Sequence, residues 1–302
     1  MGPTASGKTD LALSLVKQFP CEIISVDSAM VYRGMDIGTA KPSSEILADA
    51  PHRLINICDP VESYSVAQFC RDAKAEIETI QAAGRIPLLV GGTMLYFHSL
   101  QQGISELPSA NPELRQRLNS EAEDVGWFAM HERLAKVDPI AAERIHPNDP
   151  QRIQRALEVY ELSGETITAW YAKTPVKKWS QPLIKLVIAP NERSVLHDRI
   201  AQRFSVMLEQ GFVDEVRGLL SRGDLTLDLP SMRCVGYRQV FQYLAGDLDE
   251  ASFAERAIIA TRQLAKRQLT WLRAETETHW FDSQQVDVTE QVLKWLGNKL
   301  IL

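Results

Sequence analysis

The stretch that most constrains the fold is a glycine-rich run near the start of the chain. It reads Gly2-Pro3-Thr4-Ala5-Ser6-Gly7-Lys8-Thr9 and fits the pattern G-x-x-x-x-G-K-[ST] at every fixed position. The glycines let successive backbone N–H groups turn towards phosphate oxygens, the lysine adds a positive charge, and the hydroxyl can bind Mg²⁺. Residues 10–16 are typical of a helix whose N-terminus would face the same anion. The run predicts a phosphate-binding P-loop; the alternative is a chance glycine turn before a surface helix.

A P-loop connects a buried strand to a helix. Only Met1 precedes the loop in this numbering, so the expected strand has no counterpart among the numbered residues. We therefore expect the native chain to carry an apolar strand upstream, with Met1 an internal methionine or a trimmed end.

Composition excludes several classes of protein. The 302 residues are 45% apolar, which is enough to bury the core of one large or two modest domains. Charges interrupt the apolar runs, so neither a membrane span nor a secretory signal is expected. Cys21, Cys58, Cys70 and Cys234 form no C-x-x-C pair, which predicts reduced thiols in a cytoplasmic protein. The net charge of −6 argues mildly against nonspecific nucleic-acid binding but leaves room for a local basic patch.

A carboxylate follows the first predicted strand. Residues 21–26 are apolar and end at Asp27, and open α/β sheets bind their ligands beyond the carboxyl ends of strands. Asp27 is therefore a candidate functional residue, with a helix cap or a turn as the alternative role. Residues 30–42 contain glycines without helical periodicity, which predicts a structured loop over the site.

Residues 52–57 and 85–93 predict two further strands. The second of these ends in Gly91-Gly92-Thr93, where P-loop proteins that hydrolyse nucleotide carry an Asp. The missing acid argues against nucleotide hydrolysis. The glycines either let a ligand approach the backbone closely or form a simple turn into the next helix.

Arginines recur at helical spacing in the rest of the chain. Residues 108–178 read as polar helices, and a strand returns at 183–190, so the middle segment is predicted to be an insertion within one α/β domain. Arg152 and Arg155 share a polar face of one inserted helix and could meet phosphates, although a solvated face is the usual explanation.

Two later helices also carry basic residues. Arg199 and Arg203 are four residues apart, and their mutual repulsion suggests an anion between them. The last long helix carries Arg262 and Lys266 on one face with Trp271 nearby, a pattern typical of nucleic-acid binding or of a solvated charged face.

Taken together, these motifs resemble those of the tRNA dimethylallyltransferase family, also called tRNA isopentenyltransferases. The matching segments are 2–9, 27–30, 34–42, 91–93, 149–152, 233–238 and 261–268. The resemblance extends from residue 1 to about residue 282 and is nearest to the bacterial form, since the zinc-finger extension of eukaryotic members has no counterpart here.

The resemblance implies an α/β fold with a P-loop NTPase-like core, a parallel sheet flanked by helices, and a helical insertion domain. Residues 1–107 and 180–302 would form the core and its C-terminal helices. Residues 108–179 would form the insertion and contact the anticodon stem-loop of tRNA. We expect a monomer, because the chain shows no heptad repeat and no large apolar surface stripe.

The family transfers a dimethylallyl group from dimethylallyl diphosphate to N6 of the adenosine just 3′ of the tRNA anticodon. By resemblance the reaction uses Mg²⁺ bound at Thr9, and the P-loop holds the leaving pyrophosphate, which requires no nucleotide hydrolysis. Asp27 is the expected general base for the N6 proton. The implied catalytic residues are Asp27, Thr9, Thr93 and Arg203.

The same resemblance implies two binding sets. The diphosphate set is Gly2, Pro3, Thr4, Ala5, Ser6, Gly7, Lys8, Thr9, Arg199 and Arg203. The tRNA set is Asp27, Ser28, Ala29, Met30, Thr93, Gln151, Arg152, Arg155, Arg233, Cys234, Val235, Gly236, Tyr237, Arg238, Lys266 and Arg267.

Two other functions share some of these features. A P-loop kinase acting on a small molecule or nucleotide would share the loop, Asp27 and the arginines, but not the Gly-Gly-Thr strand end or the basic C-terminal helix. A noncatalytic RNA-binding protein switched by nucleotide would bind RNA without needing Asp27. ATP turnover without tRNA would favour the kinase, and an Asp27→Asn variant that keeps its function would favour the RNA-binding protein.

Overall fold

Two short parallel sheets lie at the centre of the larger structural unit. The computed structural model describes residues 1–105, 107–173 and 178–300. These residues form two compact units: the larger contains residues 1–99 and those from 181 onwards, and the smaller contains residues 100–180. The strands are β1 (Cys21–Val26), β2 (His52–Arg53), β3 (Ile86–Gly91), β4 (Lys185–Ala189) and β5 (Thr278–Asp282). One sheet has the order β2-β1-β3 and the other pairs β4 with β5, with every pair parallel.

Helices of the larger unit, such as those at Lys8–Gln18 and Val66–Ala82, pack against these strands, and the parallel strands with flanking helices confirm the predicted fold class. The helices are α1 (Lys8–Gln18), α2 (Ser44–Asp49), α3 (Val66–Ala82), α4 (Met94–Gln102), α5 (Pro112–Val137), α6 (Pro139–Arg144), α7 (Pro150–Ser163), α8 (Ile167–Lys173), α9 (Arg193–Glu209), α10 (Phe212–Leu220), α11 (Tyr237–Leu244), α12 (Glu250–Ala274) and α13 (Val288–Leu300). Within the ranges described, none of them combines the length and the apolar character needed to cross a membrane.

The pairing of β1 with β3 positions the site. Val26 lies opposite Gly91 in a parallel register, so Asp27 and Gly92 leave the sheet side by side. Both strands end at the same edge, and this is the edge at which open α/β sheets bind their ligands. Two segments that are about 65 residues apart in the sequence therefore meet because their strands are parallel neighbours.

The strand predicted at residues 52–57 is wrong beyond Arg53, where β2 ends. Leu54 and Asn56 adopt φ angles of 63° and 57°, in the left-handed region that a leucine rarely enters, and such residues cannot continue a strand. The chain instead turns back, and the Ile57 N–H donates to the Val31 carbonyl at 2.9 Å. The segment is therefore a loop that braces residues near the predicted site.

The regular elements of the second unit, among its described residues, are all helices. Its α5 comprises two helical stretches that meet at a sharp break at Gly126, which has a φ of 83° and a ψ of 152°. Apolar residues of α5, α6 and α7 form its core, among them Leu118, Met130, Leu134 and Ile153. The predicted insertion at 108–179 also includes residues 174–177, which lie outside the described residues.

A buried carboxylate in this unit explains Arg155. Glu158 is fully buried, and it accepts hydrogen bonds from Arg115 at 2.9 Å, from Arg155 at 2.6 Å and from the Asn111 N–H at 2.8 Å. Burial alone would raise the pKa of Glu158, but hydrogen bonds from Arg115 and Arg155 outweigh it and lower the pKa. Arg155, a predicted tRNA contact, therefore also neutralises a buried charge within the protein.

The loop over residues 30–42 is held by one glutamate. The Glu215 carboxylate accepts backbone N–H bonds from Asp36 at 2.9 Å, Ile37 at 2.7 Å and Gly38 at 3.2 Å. It also accepts the Tyr237 hydroxyl at 2.5 Å. Tyr237, a predicted tRNA contact, is fully buried in this structure. The loop is therefore structured, as predicted, but a carboxylate on α10 organises it.

We expect Glu215→Gln to destabilise the protein by about 2–3 kcal/mol, because an amide presents N–H groups where backbone N–H groups already point. Urea denaturation measures the change in unfolding free energy. The matched control is Glu255→Gln, the same change at an exposed position on α12, which should leave stability within about 0.5 kcal/mol of the parent. Equal stability of the two variants would contradict this role for Glu215.

Candidate active site

The P-loop makes a tight turn into α1 for two geometric reasons. Gly7 has a φ of 85°, in the left-handed region, and immediately precedes the first helical residue Lys8. Gly2 packs so closely against β4 that a Cβ there would lie 2.3 Å from the Ile188 carbonyl oxygen. One glycine is needed for its φ and the other for its lack of a side chain, so the motif pattern has a direct structural cause.

Two cationic side chains converge on this loop. Lys8 Nζ donates to the Pro3 carbonyl at 2.5 Å, and Arg203, from the middle of α9, donates to the Thr4 hydroxyl. Burial, followed by the charge of Arg203, lowers the pKa of Lys8 to about 8, while Asp27 acts in the opposite direction. Burial also lowers the pKa of Arg203, and Asp27 again opposes the shift. The loop therefore concentrates positive charge, which an anionic ligand would stabilise.

Asp27 and Thr93 organise the opposite side of the site. Asp27 Oδ1 accepts the N–H groups of Ala29 at 2.8 Å and Met30 at 3.2 Å. Thr93 Oγ1 accepts the Ser28 N–H at 3.0 Å, which ties the segment after β1 to the turn after β3. Within the described ranges, Asp27 Oδ2 forms no hydrogen bond. The carboxylate is therefore held by one oxygen and presents the other.

Residue 234 also belongs to the surroundings of Asp27. Burial, followed by the charge of Asp27, raises the pKa of the Cys234 thiol to about 12, so the thiol is neutral at physiological pH. A thiol with this pKa is a poor nucleophile. The predicted motif at 233–238 thus brings an uncharged side chain near the carboxylate, while the adjacent Arg233 and Arg238 are exposed.

A glutamine on α12 joins the two sides of the site, and the motif analysis assigned it no role. Gln268 Oε1 accepts the Thr4 N–H at 2.8 Å, and Gln268 Nε2 donates to the Gly92 carbonyl at 2.8 Å. The side chain is 8% exposed, and a Cβ at Gly92 would lie 2.4 Å from its Nε2. Gln268 therefore sets the separation between the P-loop and the Gly-Gly-Thr turn. The only signal in the sequence was its place in the motif at 261–268.

The other predicted residues lie in several environments. Arg199 donates to the Ser283 hydroxyl at 2.8 Å and to the Ser283 carbonyl at 3.0 Å, just after β5. Arg203, in contrast, donates to Thr4 of the P-loop. The two arginines therefore have different hydrogen-bond partners within the protein. Gln151, Arg152, Lys266 and Arg267 are exposed, and Arg152 pairs with Asp149 at 3.2 Å.

The Thr9 hydroxyl fits a magnesium ion that is bound mainly through a substrate. No group of three or more acidic, histidine or cysteine side chains in the described ranges could hold a metal ion by itself. Mg²⁺ is commonly bound by one or two protein oxygens together with substrate phosphates, so such a group is not required. Within those ranges the Thr9 hydroxyl, at the start of α1, forms no hydrogen bond and can serve as a ligand.

Comparisons with known proteins identify the family of the chain. A family model described as IPP transferase matches residues 30–275. The full-length tRNA isopentenylpyrophosphate transferase of Bacillus halodurans is 38% identical, with a TM-score of 0.71 over 99% of this chain and 94% of that chain. The tRNA delta(2)-isopentenylpyrophosphate transferase of Staphylococcus epidermidis is 32% identical, with a TM-score of 0.69 over 99% of this chain and 96% of that chain.

A eukaryotic dimethylallyltransferase acting on tRNA is more distant in sequence, at 27% identity. Its TM-score is 0.82 over 99% of this chain and 78% of that chain. The family model spans most of the sequence, and the two bacterial structures match nearly its whole length. The chain therefore belongs to the IPP transferase family of tRNA-prenylating enzymes, as its motifs had indicated.

Proposed function

We propose that this tRNA prenyltransferase transfers the dimethylallyl group of dimethylallyl diphosphate to N6 of the adenosine just 3′ of the anticodon. One observation carries the proposal: Lys8 and Arg203 converge on the P-loop, and Asp27 after β1 and Thr93 after β3 lie across from them. An anion site beside an oriented carboxylate suits a reaction in which a diphosphate leaves and a proton is removed.

The P-loop would bind the diphosphate through its backbone N–H groups, with Lys8 and Arg203 neutralising the charge that grows as pyrophosphate leaves. Both side chains already lie at the loop, which limits the reorganisation needed on binding. Thr9 would hold Mg²⁺, which supplies further neutralisation of the diphosphate. Arg199 stays a predicted partner of the diphosphate; its bonds to Ser283 would have to be exchanged for phosphate contacts.

Asp27 would accept the proton from the adenine N6. The N6 lone pair forms a bond to C1 of the dimethylallyl group, the C1–O bond breaks, and pyrophosphate leaves with the bonding electrons. The N6 proton passes to Asp27 Oδ2, because Oδ1 is already engaged by Ala29 and Met30. Thr93 would act as a positioning residue through its bond to Ser28. An adenine can reach this carboxylate only after leaving its stack in the tRNA loop.

On the tRNA side, we propose that the exposed basic and polar residues contact the anticodon stem-loop. These are Gln151, Arg152, Arg233, Arg238, Lys266 and Arg267. Ser28, Ala29, Met30, Cys234 and Val235 would line the position of the flipped base. Replacing Arg233 or Lys266 with Ala should weaken tRNA binding and lower its salt dependence. We further propose that the enzyme acts as a monomer in the cytoplasm.

Nucleoside mass analysis tests the reaction. The protein is incubated with dimethylallyl diphosphate, Mg²⁺ and unmodified tRNA, and the digested RNA is searched for N6-dimethylallyl adenosine. Appearance of that nucleoside only with all three components supports the proposal. ATP consumption with a small acceptor, and no modified nucleoside, would instead indicate a kinase.

Gln268 supplies a test of how the two sides of the site are coupled. Gln268→Met keeps the side-chain volume but loses both hydrogen bonds, so we expect kcat to fall about 10–100-fold as the P-loop and the Gly92 turn separate. Gln202→Met, at an exposed position on α9, is the matched control and should keep the parent kcat. If Gln268→Met reduced only the melting temperature and the active fraction, with kcat and KM unchanged, Gln268 would be merely structural.

A further inference from the structure

A second group of basic side chains lies away from the P-loop, in a groove between α9 and α12. The groove has a volume of about 320 Å³. Its polar lining is Arg193, His197, Arg262, Gln263 and Lys266, and its apolar lining is Leu196, Ile259, Ala265 and Leu269. Lys266 was a predicted tRNA contact, whereas Arg193 and His197 belong to no motif considered above.

The positive charges of this groove are not neutralised by the protein. Among the described residues, no ion pair joins Arg193, Arg262 or Lys266 to a carboxylate, whereas Arg53 pairs with both Glu22 and Glu76. The whole chain carries a net charge of −6, so three unpaired cations around one groove make a local positive field on an acidic protein. Such a field attracts an anion.

One donor in the groove also lacks an acceptor. Arg262 Nε is buried and has no hydrogen-bond partner among the described residues. A buried polar group without a partner is unfavourable, and an oxygen atom bound beside it would remove that cost. A phosphate oxygen suits this position, because a guanidinium donates to phosphate with favourable geometry.

The apolar part of the groove lining favours an RNA strand over a single small anion as the ligand. The cations come from both helices and lie beside an apolar wall that includes Ile259, which is 46% exposed. A small free anion would leave that wall bare, whereas the sugar–phosphate backbone of RNA places ribose carbons between successive phosphates. Leu196 and Ala265 also pack with Ala5 of the P-loop, so the groove is one layer of side chains away from the proposed diphosphate site.

We propose that this groove binds the phosphodiester backbone of the substrate RNA, with Arg193, Arg262 and Lys266 contacting phosphates. The proposal rests on the function given above, since it takes tRNA as the substrate. It adds a contact site on α9 and α12 that would hold the RNA beside the diphosphate.

The test measures binding of a fluorescent anticodon stem-loop RNA over a series of salt concentrations. Arg193→Gln and Arg262→Gln should each weaken binding about tenfold at low salt and reduce the slope of log K against log salt by about one. Arg262→Lys should keep the slope but lose affinity, because it retains the charge without the Nε donor. Arg256→Gln, the same charge change at an exposed position of α12 outside the groove, should match the parent.

Several results would overturn the groove assignment. These are unchanged slopes in both groove variants, an equal loss in Arg256→Gln, or saturable binding of inorganic phosphate that Arg262→Gln abolishes while the RNA slope stays the same. Prenyl transfer is measured in the parent at saturating RNA. If the parent protein transfers the prenyl group but the groove variants keep the parental salt slope of RNA binding, only the groove assignment is refuted. If the parent protein transfers no prenyl group, the proposed function itself is refuted.

Discussion

Replacing Asp27 with Asn should lower kcat for prenyl transfer by about 10²–10⁴-fold, the usual contribution of a general base. The asparagine Oδ1 can still accept the N–H groups of Ala29 and Met30, so the loop after β1 should keep its shape. What is lost is the oxygen that takes the N6 proton. Single-turnover measurement of N6-dimethylallyl adenosine, with the RNA saturating, isolates this step from binding.

The affinity of Asp27→Asn for tRNA should stay within about threefold of the parent, because the amide retains the shape of the carboxylate. Asp10→Asn, an exposed change on α1, is the control and should transfer the prenyl group at the parental rate. A parental rate in Asp27→Asn would remove the proton acceptor from the mechanism. A loss of rate explained wholly by weaker tRNA binding would make Asp27 a binding residue instead.

Replacing Lys8 with Gln should reduce kcat by about 10²–10³-fold, as expected when one preorganised charge on a leaving group is removed. The affinity for dimethylallyl diphosphate should fall as well, because Lys8 lies at the loop before any ligand binds. The rate of product formation at saturating diphosphate separates the two effects. A variant with a normal rate and normal affinity would mean that the P-loop backbone alone holds the diphosphate.

The lowered pKa of Lys8 predicts that the affinity for diphosphate depends on pH, which tests the role of Lys8 independently of the Lys8→Gln variant. With a pKa of about 8 in the ligand-free protein, Lys8 is mostly protonated below pH 8 and loses its proton as the pH rises above it. A bound diphosphate favours the protonated form, so binding above pH 8 requires proton uptake. The affinity should then fall by up to about tenfold per pH unit.

Lys8→Arg is the control for this pH dependence, because arginine stays charged throughout the range. Its diphosphate affinity should change little between about pH 7.5 and pH 9.5, whatever its absolute value. Binding can be followed by calorimetry in two buffers of different ionisation enthalpy, which also counts the protons taken up. An equal fall in affinity in the parent and in Lys8→Arg would assign the dependence to another group.

The local features of the site could be predicted from the sequence because each depends on residues close together in the chain. The motif at 2–9 determines the P-loop, since glycine is needed at Gly7 for its φ and at Gly2 for close packing. The apolar strand that ends at Asp27 determines where the carboxylate leaves the sheet. The buried stripe of α3, which includes Phe69, follows helical spacing and so also depends on residues close together in the chain.

Contacts between distant segments were decided only by the tertiary structure. Periodicity indicates which face of a helix is polar, but not what lies opposite that face. Arg199 and Arg203 share a helix and a charge, yet the folded chain engages one at Ser283 and the other at Thr4. Arg155, which was predicted to meet phosphates, pairs with the buried Glu158, and its sequence position does not show this contact.

Gln268 and Glu215 are residues whose roles were not predicted from the sequence and became evident only in the folded structure. Gln268 meets the Thr4 N–H, 264 residues away, and Glu215 meets the Ile37 N–H, 178 residues away. A glutamine or a glutamate on a helix is ordinary in sequence, and it becomes functional only when packing brings unpaired backbone groups within reach. Neighbouring residues in the chain are enough to specify the anion loop and the carboxylate after β1, whereas folding specifies which distant side chains hold the two together.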